Sequence, residues 1–136
     1  MKKASFIHTV LAFGATLILL LGTPSCTKEQ DIMCEVTFIA TLPDGSSFLS
    51  MEVDPAPKGN FLRNLNTRQD FDFPVFVNGT GQIRVLRGMY YLAFDAEVMM
   101  RDGTRKNVRC AQYNSPEKSL PLLGAQETVS LQLTLR

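Results

Sequence analysis

The 136-residue chain has no tryptophan and only one histidine, His8. Histidine is a frequent general base in enzymes and the commonest metal-binding side chain. His8 lies in an N-terminal segment with the layout of an export signal, so we expect the mature protein to contain no histidine. That absence excludes Ser-His-Asp and Cys-His catalysis and leaves carboxylates, lysine, tyrosine and cysteine for chemistry. We therefore expect a protein that is not an enzyme and that holds no metal or cofactor.

The beginning of the chain predicts a signal peptide over residues 1–25. Two lysines at positions 2 and 3 precede an uncharged apolar stretch from Val10 to Leu21, and small or turn-forming residues follow up to Ser25. The apolar stretch has about a dozen residues, whereas a membrane-spanning helix needs about 20. A retained signal anchor is the alternative, in which residues 6–7 lengthen the apolar run.

The segment "GTPSC", which ends at Cys26, resembles the cleavage box of bacterial lipoproteins. Such boxes usually have leucine where this chain has Thr23, and the looser boxes of Bacteroidetes-type lipoproteins tolerate the change. The resemblance implies that Cys26 is acylated, with residues 26–33 as a tether, and that the protein is anchored in the cell envelope, in the outer membrane on its periplasmic or surface face. Two acyl chains hold a protein stably on a membrane. An ordinary signal peptidase would cut at the same bond, so secretion without a lipid is the alternative.

Loss of the signal changes the formal charge from +1 to −1, because twelve basic residues then face thirteen acidic ones. No strongly basic stretch favours nucleic acid as a partner. Cys34 and Cys110 would remain as an even pair in an oxidising compartment, which predicts a disulfide. By the chain-entropy relation, a bridge closing roughly 75 residues would stabilise the fold by about 4 to 5 kcal/mol. The alternative is two buried free thiols.

The mature chain alternates apolar and polar residues in short runs between turn residues, and no run has helical periodicity. This pattern predicts an all-β domain over residues 34–136: an antiparallel two-sheet sandwich of about seven strands, transthyretin-like or Ig-like. The predicted strands are residues 34–42, 46–53, 70–77, 82–86, 89–98, 105–113 and 127–136. We expect the first two to form a hairpin, residues 54–69 to be a long connection and residues 115–126 an irregular loop.

Two details of the pattern bear on which side chains face the core. In "DFDFPVFV" we expect Phe71, Phe73, Val75 and Val77 to share one side, with Pro74 at an edge or a bulge. In the last segment we expect Val129, Leu131, Leu133 and Leu135 to point inward.

The stretch "NGTGQIRVLRGMYYLAFDAEV" resembles the turn, strand, Gly-x-Tyr, strand pattern of transthyretin-like and carboxypeptidase-regulatory-like sandwiches. Gly88 and Tyr90 occupy the matching positions. Together with the lipoprotein box, the chain is similar to small surface lipoproteins of Bacteroidetes. The resemblance implies a binding or assembly role in a fimbrial or nutrient-capture system, with a surface protein or a glycan as partner, and it transfers no catalytic residue.

Two pairs of carboxylates are the candidate site residues. Asp70 and Asp72, and likewise Asp95 and Glu97, are two positions apart, so each pair shares one face of a predicted strand. Paired carboxylates are ligands for Ca²⁺ or the acid and base of a glycosidase. The favoured interpretation is a solvated polar face. A small secreted hydrolase or inhibitor-like effector that uses these carboxylates is the alternative function.

Overall fold

The computed structural model describes residues 32–136. The predicted signal peptide, the predicted lipidation site Cys26 and most of the tether lie outside the described residues. Residues 33–136 cluster into one unit with its own core. None of the helical segments in this described part is long and apolar enough to cross a membrane.

Ten strands make up almost all of the regular structure in this part of the chain, which confirms the all-β prediction. They are β1 (Met33–Thr41), β2 (Phe48–Glu52), β3 (Phe61–Asn64), β4 (Phe76–Val77), β5 (Thr80–Leu86), β6 (Gly88–Met100), β7 (Arg105–Tyr113), β8 (Leu120–Leu122), β9 (Gln126–Gln132) and β10 (Thr134–Leu135). A short 3-10 turn, Pro116–Lys118, precedes β8.

The strands form one curled mixed sheet in the order β10-β7-β6-β2-β4-β5-β1-β9, with β3 and β8 also paired to β6. The pairing of β1 with β9 is parallel, so the purely antiparallel prediction was wrong at this point. The sheet curls because the C-terminal residues 133–136 hydrogen-bond to strands near both of its ends. Leu133 N–H donates to Thr41 C=O on β1 at 2.9 Å, and Arg136 N–H donates to Asn107 C=O on β7 at 3.0 Å.

The strand β6 organises one side of the fold because its 13 residues contact four shorter strands. It pairs with β7 along most of its length, with β2 and β3 on its other edge, and with β8 at its beginning. Apolar residues alternate along β6, and the side chains of Tyr90, Leu92, Phe94 and Val98 lie in the core. Arg87 alone separates β5 from β6, and Gly88 is the first residue of β6.

The core is formed by the inward side chains of these strands, with aromatic residues as its largest members. Phe38 and Phe76 lie with ring centroids 6.3 Å apart, and Phe73 contacts Phe94 edge to face at 4.9 Å. Tilted and edge-to-face arrangements are the favoured geometries of aromatic pairs. The core therefore joins β1 and β4 to the segment before β4 and to β6.

The predicted hairpin between the first two strands does not form. The two edges of β1 are taken by β5 and β9, so β2 pairs instead with β6 and β4. Residues 54–69 are not wholly irregular, because β3 lies within them and buries Leu62. Residues 115–126 likewise contain β8, in which Pro121 is tolerated because this strand has only one neighbour, β6.

Pro74 shifts the alternation of its segment by one residue. Phe71 and Phe73 pack against the core as predicted, but Phe76 is buried and Val75 and Val77 are exposed. The prediction that all four alternate residues share one side was wrong beyond Pro74. The same kind of change occurs at the C-terminus, where Leu133 is buried but Leu135 is exposed, because β10 has left β1 and pairs with β7.

Candidate functional site

Asp95 lies on the outer face of β6, opposite Arg109 of β7. The guanidinium of Arg109 holds both carboxylate oxygens, with Nε–Oδ1 at 2.7 Å and Nη2–Oδ2 at 3.1 Å, and Arg136 Nη1 lies 3.0 Å from Oδ2. The hydrogen bond from Arg109 lowers the pKa of Asp95 below its usual value, because it stabilises the ionised form. Asp95 is therefore an ionised carboxylate that already has two cationic partners.

The other three candidate carboxylates do not share the arginine partners of Asp95. Glu97 accepts a hydrogen bond from Arg105 at 2.9 Å. Asp70 is held by Arg63 at 2.7 and 3.1 Å, which lowers the pKa of Asp70. Asp72 is exposed and makes no salt bridge within the described residues.

The two predicted pairs do not converge on one point, and each ion-paired carboxylate has a different arginine. Within residues 32–136 no group of three potential ligands from histidine, cysteine, aspartate and glutamate is close enough to hold a metal ion. The arrangement fits the favoured interpretation of charged side chains on polar strand faces. Exposed pairs of this kind contribute little to stability.

Cys34 and Cys110 are buried free thiols, on β1 and β7 respectively. The predicted disulfide between them is not formed in this structure, and the alternative of two buried thiols describes what is seen. Burial raises the pKa of both thiols, because the thiolate is poorly solvated in the core. A thiol in this state is a weak nucleophile.

A shallow depression of about 350 Å³ lies beside Asp95, between the beginning of β3 and the outer face of β7. Phe61 and Arg109 flank it, and Ala93 and Ala111 line it. The ladder between β6 and β7 is irregular here, since Leu92 lies opposite Tyr113 and Phe94 opposite Cys110. The depression lies at this irregularity, where two of its lining side chains, Ala93 and Ala111, are only methyl groups.

Asn60 holds the backbone of Asp95 where β6 has no strand on its second edge. Its Oδ1 accepts from Asp95 N–H at 2.9 Å and its Nδ2 donates to Asp95 C=O at 3.2 Å. The side-chain amide thus replaces a strand between the stretches of β6 that pair with β2 and with β3. A backbone group at this position would otherwise lack a partner.

An exposed aliphatic strip crosses the outer face at the β4–β5 turn. Thr80 of β5 pairs with Val77 of β4 on one side and with Ile39 of β1 on the other. Directly paired residues point to the same face of a sheet, so the three side chains share one face. With adjacent strands about 4.8 Å apart, Ile39 and Val77 are separated by roughly 10 Å. Two further exposed side chains continue the strip, which is defined as Ile39, Leu49, Val75 and Val77.

The sequence did not predict this strip, nor the roles of Asn60, Phe61 and Arg136. The strip was missed because Val75 and Val77 were expected to share the side of Phe71 and Phe73. The proline in "DFDFPVFV" was the available signal for the shift. Nothing in the sequence places Arg136 beside Asp95, because that contact depends on the change of partner at Leu133.

Comparison with known proteins finds no family model, no curated protein and no solved structure that matches this chain.

Proposed function

We propose that the chain is a non-catalytic, membrane-anchored lipoprotein that acts as a binding or assembly module in a cell-surface system, fimbrial or nutrient-capturing. The single observation that carries the proposal is the aliphatic strip on an otherwise polar outer face. Its anchor is the acylated Cys26, and its partner is a surface protein or a glycan. We do not propose nucleic acid as a partner.

The composition and position of the strip fit a contact with a macromolecule. Val75 and Val77 are 57% and 56% exposed, although apolar side chains of these strands are otherwise mostly buried. Neighbouring positions are polar, with Thr80 between Ile39 and Val77 and Ser50 on the far side of Val77. Clustered exposed aliphatic groups with a polar rim are typical of interaction sites. The strip is better suited to a protein than to a glycan, because it contains no aromatic ring.

We also propose that the curled sheet is a two-layer sandwich of the transthyretin-like or Ig-like kind. Only the two residues of β4 join β2 to β5, so the strands on either side of β4 form two nearly separate groups. The Tyr90 hydroxyl donates to the carbonyl oxygen of Leu86, four residues upstream. Immunoglobulin-like sandwiches contain a comparable tyrosine whose hydroxyl bonds back to the preceding backbone.

The alternative function, a small hydrolase or inhibitor-like effector, receives less support from the carboxylates. A general acid at neutral pH needs a raised carboxyl pKa. The pKa values of Asp70 and Asp95 are instead lowered by Arg63 and Arg109. The depression beside Asp95 is shallow, and the carboxylate in it is already held by two arginines.

Site-specific photo-crosslinking in the native envelope tests the binding role. A photoactivatable residue at Val77 is expected to yield one defined cross-linked product, whereas the same residue at Glu117 is expected to yield none. Glu117 is a suitable control because it is also exposed and lies on the turn before β8. The substitution Val75→Lys should abolish the product from position 77. Products that are equally abundant from both positions would contradict the proposal.

The intact mass of the protein from its membrane fraction tests the anchor separately. A chain that begins at Cys26 and carries two or three acyl groups is expected. An unmodified chain in the soluble fraction would overturn the lipoprotein assignment and favour the secreted effector.

A further inference from the structure

The outer surface at the beginning of β6 carries a second group of apolar side chains. Asn64 of β3 and Tyr90 of β6 pair with each other and both are buried, so the residues next to them face outward. Leu65 N–H donates to Met89 C=O at 2.8 Å, which extends this ladder by one pair. On the other edge of β6, Met89 pairs with Pro121 of β8. Apolar side chains from three adjacent segments therefore meet on one outer face.

Leu123 extends this group beyond the end of β8. Leu122 is buried, whereas Leu123 is 58% exposed and lies on the same side of the chain as Pro121. Leu65 and Met89 are half-buried, and Pro121 is exposed. The end patch is defined as Leu65, Met89, Pro121 and Leu123. Contiguous apolar side chains on a surface are typical of contacts with a protein or a membrane.

The end patch lies beside the point where β1 begins. Arg87, two residues before Met89, donates from Nε to Met33 C=O at 3.2 Å, and Leu86 pairs with Met33 itself. Cys26 is seven residues before Met33, and seven residues span at most about 25 Å. If Cys26 is acylated, as proposed above, the end patch is therefore joined to the membrane by a short tether.

The order of side chains along the outer face of β6 matches the change in polarity from a membrane to water. Met89 is followed two residues later by Tyr91, which is half-buried and whose hydroxyl makes no hydrogen bond among residues 32–136. The charged residues Asp95 and Glu97 come further along the strand. Tyrosine is enriched at the interface between membrane and water, because its ring is apolar and its hydroxyl is polar.

Arg87 adds a cationic group at the edge of the end patch. It makes no salt bridge in the part of the chain that the structure describes, and its terminal nitrogens donate to no group there. Guanidinium nitrogens bind phosphate oxygens well. Long basic side chains also extend from an apolar surface to the lipid headgroups. The edge of the end patch thus suits a phospholipid headgroup.

We propose that the end patch is a second membrane contact, in which Leu123 and its neighbours enter the headgroup region of the bilayer and Arg87 binds a lipid phosphate. A flexible tether alone would leave the domain free to turn on its anchor. The contact holds the domain in one orientation. Ile39 of the aliphatic strip is six residues beyond Met33 along β1, or about 20 Å. The strip therefore lies at the end of β1 that is further from the membrane, where a partner can reach it.

The inference deepens the proposed function and rests on its lipid anchor. Fluorescence quenching tests it on the full-length protein from the membrane fraction, labelled with the fluorophore NBD at Leu123→Cys. The labelled protein is reconstituted into phosphatidylcholine vesicles that contain a lipid with a nitroxide near its headgroup. Cys34 and Cys110 are buried, so the label reacts with the introduced cysteine.

Val77→Cys is the matched control, because Val77 is 56% exposed and Leu123 is 58% exposed. The label at position 123 should lose most of its emission to the nitroxide, and the label at position 77 should lose little. Labels that are quenched equally at the two positions, or at neither, on protein that floats with the vesicles would overturn the inference and leave the proposed function intact. Protein that does not stay with the vesicles would overturn the anchor and the inference with it.

A charge substitution tests the apolar contact itself. A label at Pro121→Cys should also be quenched, and the added substitution Leu123→Glu should relieve this quenching because a carboxylate opposes entry into the bilayer. The added substitution Val77→Glu should leave the quenching unchanged. Quenching at position 121 that does not respond to Leu123→Glu would contradict the proposed contact.

Discussion

The Tyr90 hydroxyl connects two elements, since it donates to Leu86 C=O at 2.5 Å and accepts from Asn64 Nδ2 at 3.1 Å. Both Tyr90 and Asn64 are fully buried. Asn64 Oδ1 in turn accepts from the backbone N–H groups of Asn66 and Thr67, which fixes the turn after β3. One hydroxyl thus ties the end of β5 to the turn after β3.

Replacement of Tyr90 by phenylalanine should destabilise the protein by about 1 to 3 kcal/mol, because Asn64 Nδ2 would be left without its partner in the core. Urea unfolding measures the change in the free energy of unfolding. Tyr91→Phe is the matched control, since the Tyr91 side chain is only half-buried and its hydroxyl makes no hydrogen bond within the described part of the chain. Equal losses for the two variants would show that the network adds nothing.

Gly88→Ala should also destabilise the fold, by about 1 to 3 kcal/mol. A Cβ atom at Gly88 would lie 2.7 Å from Asn66 Oδ1 and 2.8 Å from Asn64 Nδ2, so the network around Tyr90 would have to move. Gly59→Ala is a suitable comparison, because a Cβ there meets no atom within 4 Å. Thermal unfolding of both variants checks the prediction, which fails if Gly88→Ala melts at the wild-type temperature.

Asp95 should contribute to stability in a pH-dependent way. Arg109 lowers the pKa of the folded Asp95, so the unfolded chain binds the proton more tightly. The stabilisation is therefore complete above the usual aspartate pKa of about 3.9 and is lost as the pH falls through it toward the lowered pKa. Asp95→Asn should be less stable than the wild type at pH 7 and should approach it in acid. The effect should be small because both side chains are partly exposed.

The matched control for this titration is Asp72→Asn, because Asp72 is exposed and makes no salt bridge in residues 32–136. Unfolding by urea at a series of pH values compares the three proteins. A difference between Asp95→Asn and the wild type that does not change with pH would argue against the ion pair as its cause.

Cys34 and Cys110 should resist thiol reagents in the folded protein. Both side chains are buried and the pKa of each thiol is raised, so little thiolate is accessible at neutral pH. If Cys26 is acylated, we expect two thiols per chain to react with a maleimide, and only after denaturation. Mass spectrometry counts the maleimide groups added to each chain. Recovery of a denatured chain with neither thiol reactive would instead establish the disulfide that the sequence predicted.

The sequence by itself determined most of the strands and their buried faces. Tyr90, Leu92, Phe94 and Val98 alternate in the sequence and are buried in the structure, because a strand directs successive side chains to opposite faces. The turn at Asn78 and Gly79 was equally predictable, since the pair Asn-Gly is favoured in two-residue hairpin turns that need positive φ angles. In the structure the two φ angles are 54° and 82°. These features depend only on neighbours along the chain.

Only the tertiary structure decided which strands pair. The β1–β9 pair joins segments about 90 residues apart, and nothing local in either segment encodes a parallel partner. The same holds for the aliphatic strip and for the contact between Asp95 and Arg136, which depend on the shift at Pro74 and on the change of partner at Leu133. Local alternation fixes which side of a strand is buried, whereas the order of strands follows from how all the apolar faces are covered together.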